Sequence, residues 1–240
     1  MRVLRPIAIL TAFLFVGVTA RAGDMATLNI LGFSPDGAIF AFEEYGVQDG
    51  SGFPYANRYY IDTAADRFLP STPVRVHIQD GQATVEEARA DAKDQAESVI
   101  SDENLTEGFR AGWNAVTELS AEPHRMMVNP RPIMPPLDET LEFRLEELSL
   151  QYPENCRDLG ERIFGFRLLR IGTSGGEQTG IVHEDKRVPS SRGCPLGYSI
   201  AGIQTYHPRG EPAVFAVIIA VRRFGFEGPD HRFMAVTGRL

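Results

Sequence analysis

Five consecutive residues, Gly172, Thr173, Ser174, Gly175 and Gly176, are the stretch of this chain whose types and spacing name a reaction. They fit G-x-S-x-G, the sharp turn that presents a serine nucleophile for acyl transfer, and such a serine needs a helix directly after it. Residues 177–183 read instead as a strand, so the motif is better explained as a hairpin turn. A base is also missing. His183 lies nine residues along the same hairpin, far from Ser174 at ~3.3 Å per extended residue, which leaves His77 or His124 to be brought in by folding. Ser174 is therefore a catalytic candidate that its own local geometry opposes.

Metal and acid–base chemistry have less to stand on. The histidines, His77, His124, His183, His207 and His231, are scattered singly, with neither H-E-x-x-H nor H-x-H spacing. Asp49, Gly50, Ser51 and Gly52, near Glu43 and Glu44, could offer oxygens to calcium but lack the repeated acids of an EF-hand loop. Glu43–Glu44 and Glu146–Glu147 are adjacent pairs on strand-like runs, and adjacent residues of a strand point to opposite faces, so neither pair can share a proton. The expectation is no metal and no cofactor. What remains is the loop 47–57, where Gln48, Asp49, Phe53, Tyr55 and Asn57 mix aromatic and polar groups between two strands. Recognition surfaces are built that way, and a closed, well-packed loop is the structural alternative.

The elements that hold these residues are mainly β. Residues 31–62 read as strand, turn, strand, glycine-rich loop, strand, with Pro35, Asp36 and Gly37 supplying the turn. Residues 67–78 give a further short extended pair. Then the period changes: Thr84 and Glu87 have capping-box spacing, and Val85, Ala88, Ala92, Ala96 and Val99 recur every three or four residues. An acidic amphipathic helix is expected near 84–100, within a helical insertion of about 84–119 whose second half, weakened as helix by Gly108 and Gly112, reads as a short helix or turn leading into a strand. Prolines at 123, 130, 132, 135 and 136 mark an extended connector over 123–136. Six strand signals follow, and residues 213–221, apolar on both faces, belong at the centre of a sheet. The opening pattern also echoes near the end. Phe33, Pro35 and Gly37 find counterparts in Tyr206, Pro208 and Gly210, while Gly46 and Gly50 are matched by Gly225 and Gly228, as if one turn-strand-loop-strand unit were used twice.

Export is written at the start of the chain. Arg2 and Arg5 precede the apolar run 7–18 and then Ala20, Arg21 and Ala22, the pattern of a signal peptide over 1–22 cleaved after Ala22, leaving one β-rich domain over 23–240. The run is shorter than the ~20 residues a membrane span requires, so no span is expected after cleavage. Without Arg2, Arg5 and Arg21, 21 of the 24 basic residues remain against 32 acidic ones, which argues against nucleic acid or anionic lipid as partner. Cys156 and Cys194, an even pair in an oxidising compartment, point to one disulfide, with a reduced pair or a metal site as alternatives.

Two resemblances add to this. FSPDG followed by IFAF, a glycine-rich loop and NRYYID resembles a blade of the TolB-like and WD40-like propellers, which implies antiparallel propeller-like meanders; a β-sandwich is the alternative. The longer order of a leader, GFSPDG, FAFEEYGVQDGSGFPYAN and YYIDTA, an acidic helix and a cysteine-bearing β-rich half resembles the secreted proteins grouped as domain of unknown function family 2259. That resemblance implies export and no catalytic residue. The expected protein is a secreted or periplasmic, non-catalytic binding or envelope-accessory module for a protein or small polar ligand. A periplasmic hydrolase using Ser174 or carboxylates gathered by folding is the alternative.

Overall fold

The computed structural model describes residues 23–173 and 178–240. The expected signal peptide, 1–22, and Ser174 lie outside the described residues.

Strand β1 (Thr27–Phe33) leads through the turn Ser34–Gly37 to β2 (Ile39–Val47), which pairs with β3 (Pro54–Asp62). The turn forms as its residues require: Gly37 at φ 72° donates its N–H to the Ser34 carbonyl at 2.8 Å, and Asp36 Oδ1 accepts from Ser34 Oγ at 2.6 Å. Two short strands, β4 (Arg67–Phe68) and β5 (Val74–His77), both pair with β3 and complete the first sheet. Helix α1 (Val85–Ala96) starts at the capping box read from the sequence, with Thr84 Oγ1 accepting from Glu87 N–H at 3.1 Å and Glu87 accepting from Thr84 N–H at 2.7 Å. Its buried alanines, Ala88, Ala92 and Ala96, lie against Ala41, Ala56 and Tyr60 on the outer face of the first sheet. Small residues on both sides let helix and sheet approach closely.

The helical part of the chain is shorter than expected. Past Ala96, residues Phe109–Trp113 form strand β6, not helix, and Gly112 explains why: a Cβ there would meet Met126 Sδ and Val128 Cγ1 at 2.7 Å. Nor is the proline-rich stretch all connector, because Arg125–Val128 forms strand β7. The second sheet runs β10-β9-β8-β7 and adds β8 (Leu141–Leu148), β9 (Gly165–Ile171) and β10 (Gly180–Glu184). The third runs β13-β12-β11-β6, from β11 (Pro195–Tyr206), β12 (Val214–Arg223) and β13 (Asp230–Arg239).

Strand β12 places the third sheet between the other two. Val214, Ala216, Ile218 and Ala220 join the core shared with Phe33, Phe40 and Phe42 of the first sheet. Phe215, Val217, Ile219 and Val221 join the core shared with Phe143, Phe166 and Leu168 of the second. An apolar strand with two dry faces is thus central, as its sequence requires. The layers run helix, first sheet, third sheet, second sheet. None of the three antiparallel sheets closes or curls into a propeller, so the blade-like opening is a correction. FSPDG and IFAF specify a local meander, and that meander finds its partner by stacking face to face on another sheet instead of around an axis.

The sequence echo has a physical counterpart in that stacking. Phe33 stacks on Tyr206 with ring centroids 5.5 Å apart, a Cβ on Gly37 would sit 3.2–3.3 Å from Pro208 and Val214, and Asp49 Oδ2 accepts from Glu227 N–H at 2.9 Å. Corresponding ends of β1-β2-β3 and β11-β12-β13 lie over one another.

Candidate functional site

Along β3 the alternation of side chains puts Tyr55, Asn57 and Tyr59 on one face. Together with β4, β5, β12 and β13 that face lines a cleft of about 370 Å3, closed at one side by Ser191 and Arg192 from the segment before β11. Its floor is organised by Glu44, which is 2% exposed. The Glu44 carboxylate accepts from Tyr59 Oη at 2.7 Å, Asn57 Nδ2 at 3.1 Å and the Phe233 backbone N–H at 2.7 Å. A buried carboxylate needs such partners to offset lost hydration, and these three fix two strands of the first sheet against β13. Glu43, one residue earlier, points the other way and pairs with Arg89 of α1 at 3.0 Å. Glu147 accepts from Tyr198 N–H at 2.8 Å while Glu146 pairs with Arg167 at 3.1 Å. The four acids serve four separate places.

Four guanidinium groups, Arg75, Arg192, Arg223 and Arg232, border the cleft. Arg232 lies over the Tyr55 ring, 4.7 Å from its centroid, and is paired with Asp24, whose Oδ1 also accepts from Tyr55 Oη at 3.1 Å. Burial raises the Asp24 carboxyl above its usual range while Arg232 pulls it back. Arg192 is held by Asp185, and Asp185 in turn by His183 at 3.2 Å. Burial pushes Tyr55 and Tyr59 far above ordinary phenol values, so both stay neutral donors. The arrangement offers a neutral aromatic wall, fixed hydrogen-bond groups and cations at the rim. Among the described residues no group of three or more His, Cys, Asp or Glu could hold a metal ion.

Of the residues singled out in the loop 47–57, Gln48, Tyr55 and Asn57 line this cleft. Tyr55 and Asn57 do so as strand residues, because the loop is only a tip in which Gln48 N–H donates to the Phe53 carbonyl at 2.8 Å and β3 begins at Pro54. Asp49 is engaged by Glu227, and Phe53 packs beside the His77 ring with centroids 5.8 Å apart; neither lines the cleft. The four arginines, Phe68 and Phe233 are not among the candidate site residues read from the sequence. A signal existed for one of them, since V-R-V-H in β5 alternates and puts Arg75 and His77 on the exposed face.

Cys156 and Cys194 form a disulfide with Cα atoms 5.6 Å apart, packed with Ile163 and Val188 in a small core of their own. It closes the segment that carries Arg192. Such a bond belongs to a protein outside the cytoplasm. No curated protein and no solved structure matches the chain. A family model does match, over residues 41–239, and the chain belongs to that family, described as Predicted secreted protein (DUF2259).

Proposed function

We propose that this exported protein is a non-catalytic binding module whose small polar ligand sits in the cleft between the first and third sheets. One observation carries the reading: the concave wall is built on strands, with buried Tyr55, Tyr59 and Phe233 set around polar groups that Glu44 already fixes. Small-molecule sites typically enclose ~300–1,000 Å3, mostly apolar and aromatic, with a few placed polar groups, and a volume of about 370 Å3 suits a ligand of one or two rings. Strand positions held by ladder hydrogen bonds lose little freedom when a ligand arrives, so less binding energy is spent on ordering.

The test uses a wall residue that can change without threatening the core. Phe68 on β4 is 48% exposed and packs tilted against Tyr59 with ring centroids 5.9 Å apart. Titration with the fluorophore 1-anilinonaphthalene-8-sulfonate is expected to give a saturable, one-site emission increase. Phe68→Ala should weaken it by about tenfold, the worth of one large apolar contact. Equal binding to wild type and variant would refute the cleft as the site.

A further inference from the structure

We propose that the ligand is a small aromatic carboxylate whose acid group is clasped by Arg75 and Arg223 and whose ring lies on Tyr59 and Phe68, an inference that rests on the cleft being the ligand site. The argument begins with which cations at the rim are already engaged. Arg232 is turned inward, with Asp24, its own neighbour's carbonyl and the Tyr55 ring as partners. Arg192 gives both terminal nitrogens to Asp185. Neither has much left to offer. Arg223 is different: its Nη2 reaches Asp230 at 3.4 Å, a long contact, and its Nε and Nη1 make no hydrogen bond among the described residues. Arg75 is exposed and has no carboxylate partner among the described residues, its guanidinium standing 6.0 Å from the Tyr59 ring centroid.

Both arginines line the one cleft although 148 positions separate them, and the charge of each pulls the Tyr59 titration down against the burial that raises it. The one acid on the cleft wall, Glu44, makes no ion pair with either of them, its two oxygens being turned to Tyr59, Asn57 and the Phe233 N–H. Two guanidinium groups with open N–H donors beside a neutral aromatic floor call for an anion joined to a flat apolar body. Arginine fits this better than lysine would, because its planar fork pairs with a carboxylate through two parallel bonds and stacks on a ring.

A bare phosphate is the weaker match. Phosphate sites draw on backbone N–H groups at a helix N-terminus, and α1 contributes nothing to this wall. Phosphate would also leave Tyr59, Phe68 and Phe233 wet.

Isothermal titration calorimetry of the exported protein with 2-naphthoate, 2-naphthamide and inorganic phosphate separates these ideas. Naphthoate should bind at least about tenfold tighter than the amide, the worth of a charged hydrogen-bond pair. Arg75→Gln, on an exposed strand position, should bring the two within about twofold, mainly by weakening the acid, while leaving the circular dichroism unchanged. Equal binding of acid and amide by the wild type overturns the carboxylate, as does an undiminished preference in Arg75→Gln. Phosphate binding as tightly as naphthoate overturns the aromatic part. If the fluorophore depends on Phe68 while acid and amide bind alike, the cleft stands and the anion falls; if neither compound binds and Phe68→Ala changes nothing, both fall.

Discussion

Raising the pH from 6.5 to 9 should cost this fold ~3 kcal/mol through a single imidazole. His183 on β10 lies between two carboxylates, with Nε2 3.2 Å from Asp185 and Nδ1 3.6 Å from Asp66, and its ring stacks on Phe166 at 4.7 Å. Burial favours the neutral ring, but the two carboxylates outweigh it and hold the pKa at about 9. A group whose folded pKa is raised stabilises fully below its unfolded value, near 6.5, and that contribution is lost as the pH climbs through the folded value. A rise of two to three units at ~1.4 kcal/mol each gives the figure above. The position of Asp66 explains why the loss is felt globally. It sits in the turn after β3, accepts from Thr237 N–H of β13 at 2.8 Å and faces His183 of β10, so it ties all three sheets. His207 and His231 are lowered, chiefly by burial, so they oppose the trend near and below pH 6.5, where the unfolded chain binds their protons, and add little above pH 7. Urea unfolding at pH 7, 8 and 9 therefore measures the effect; with a slope of ~2 kcal/mol per molar, the midpoint should fall by about 1 M. His183→Gln should start lower at pH 7 and stay nearly flat. A wild-type midpoint that does not move, or a variant with the same slope, would refute the assignment.

Two further perturbations test the packing. The disulfide closes a separation of 38 residues, worth ~4 kcal/mol in the chain-entropy relation; reduction should lower Tm by roughly 8–16 °C for a chain of this size, and a fall under about 3 °C would show that the Asp185–Arg192 pair tethers the segment instead. Ala216→Leu adds three carbons where β12 faces the first-sheet aromatics and should cost ~1–3 kcal/mol by chemical denaturation. A variant as stable as the wild type would mean that this interface is not close-packed.

Local chemistry was legible in the sequence. The Thr84–Glu87 box, the Pro35–Gly37 turn and the two-faced β12 each follow from forces acting within about ten residues. The divergence of Glu43 from Glu44 follows from strand geometry alone. What failed needed a partner from elsewhere in the chain. Residues 109–113 carry Gly112 and an ambiguous period, and they become strand because they pair with β11 while Met126 and Val128 fill the space over Gly112. From sequence alone the loop 47–57 comes out too long, because only the pairing of Val47 with Pro54 shows where β3 begins. Arg75 and Arg223 are ordinary strand-end arginines until the third sheet is laid on the first.

That stacking also gives the sequence echo its meaning. Were the two units blades, their matching residues would recur around a ring and never touch. Here Phe33 meets Tyr206 and Asp49 meets Glu227, so counterpart positions face each other where the two sheets stack. Two like surfaces pack only if large opposes small, and the halves have diverged accordingly: the first offers Phe40, Phe42 and Tyr59 where the third offers Ala216, Ala220 and Ala235. The same divergence builds the cleft. The first sheet supplies Tyr55, Tyr59, Phe68 and Arg75 to the wall, the third supplies Arg223, Arg232 and Phe233, and Arg232 gives its charge to the Tyr55–Asp24 pair. On the proposed reading, specificity lies in groups that the two halves do not share, and Arg75, on a strand beyond the repeated unit, and Arg223 are two of them.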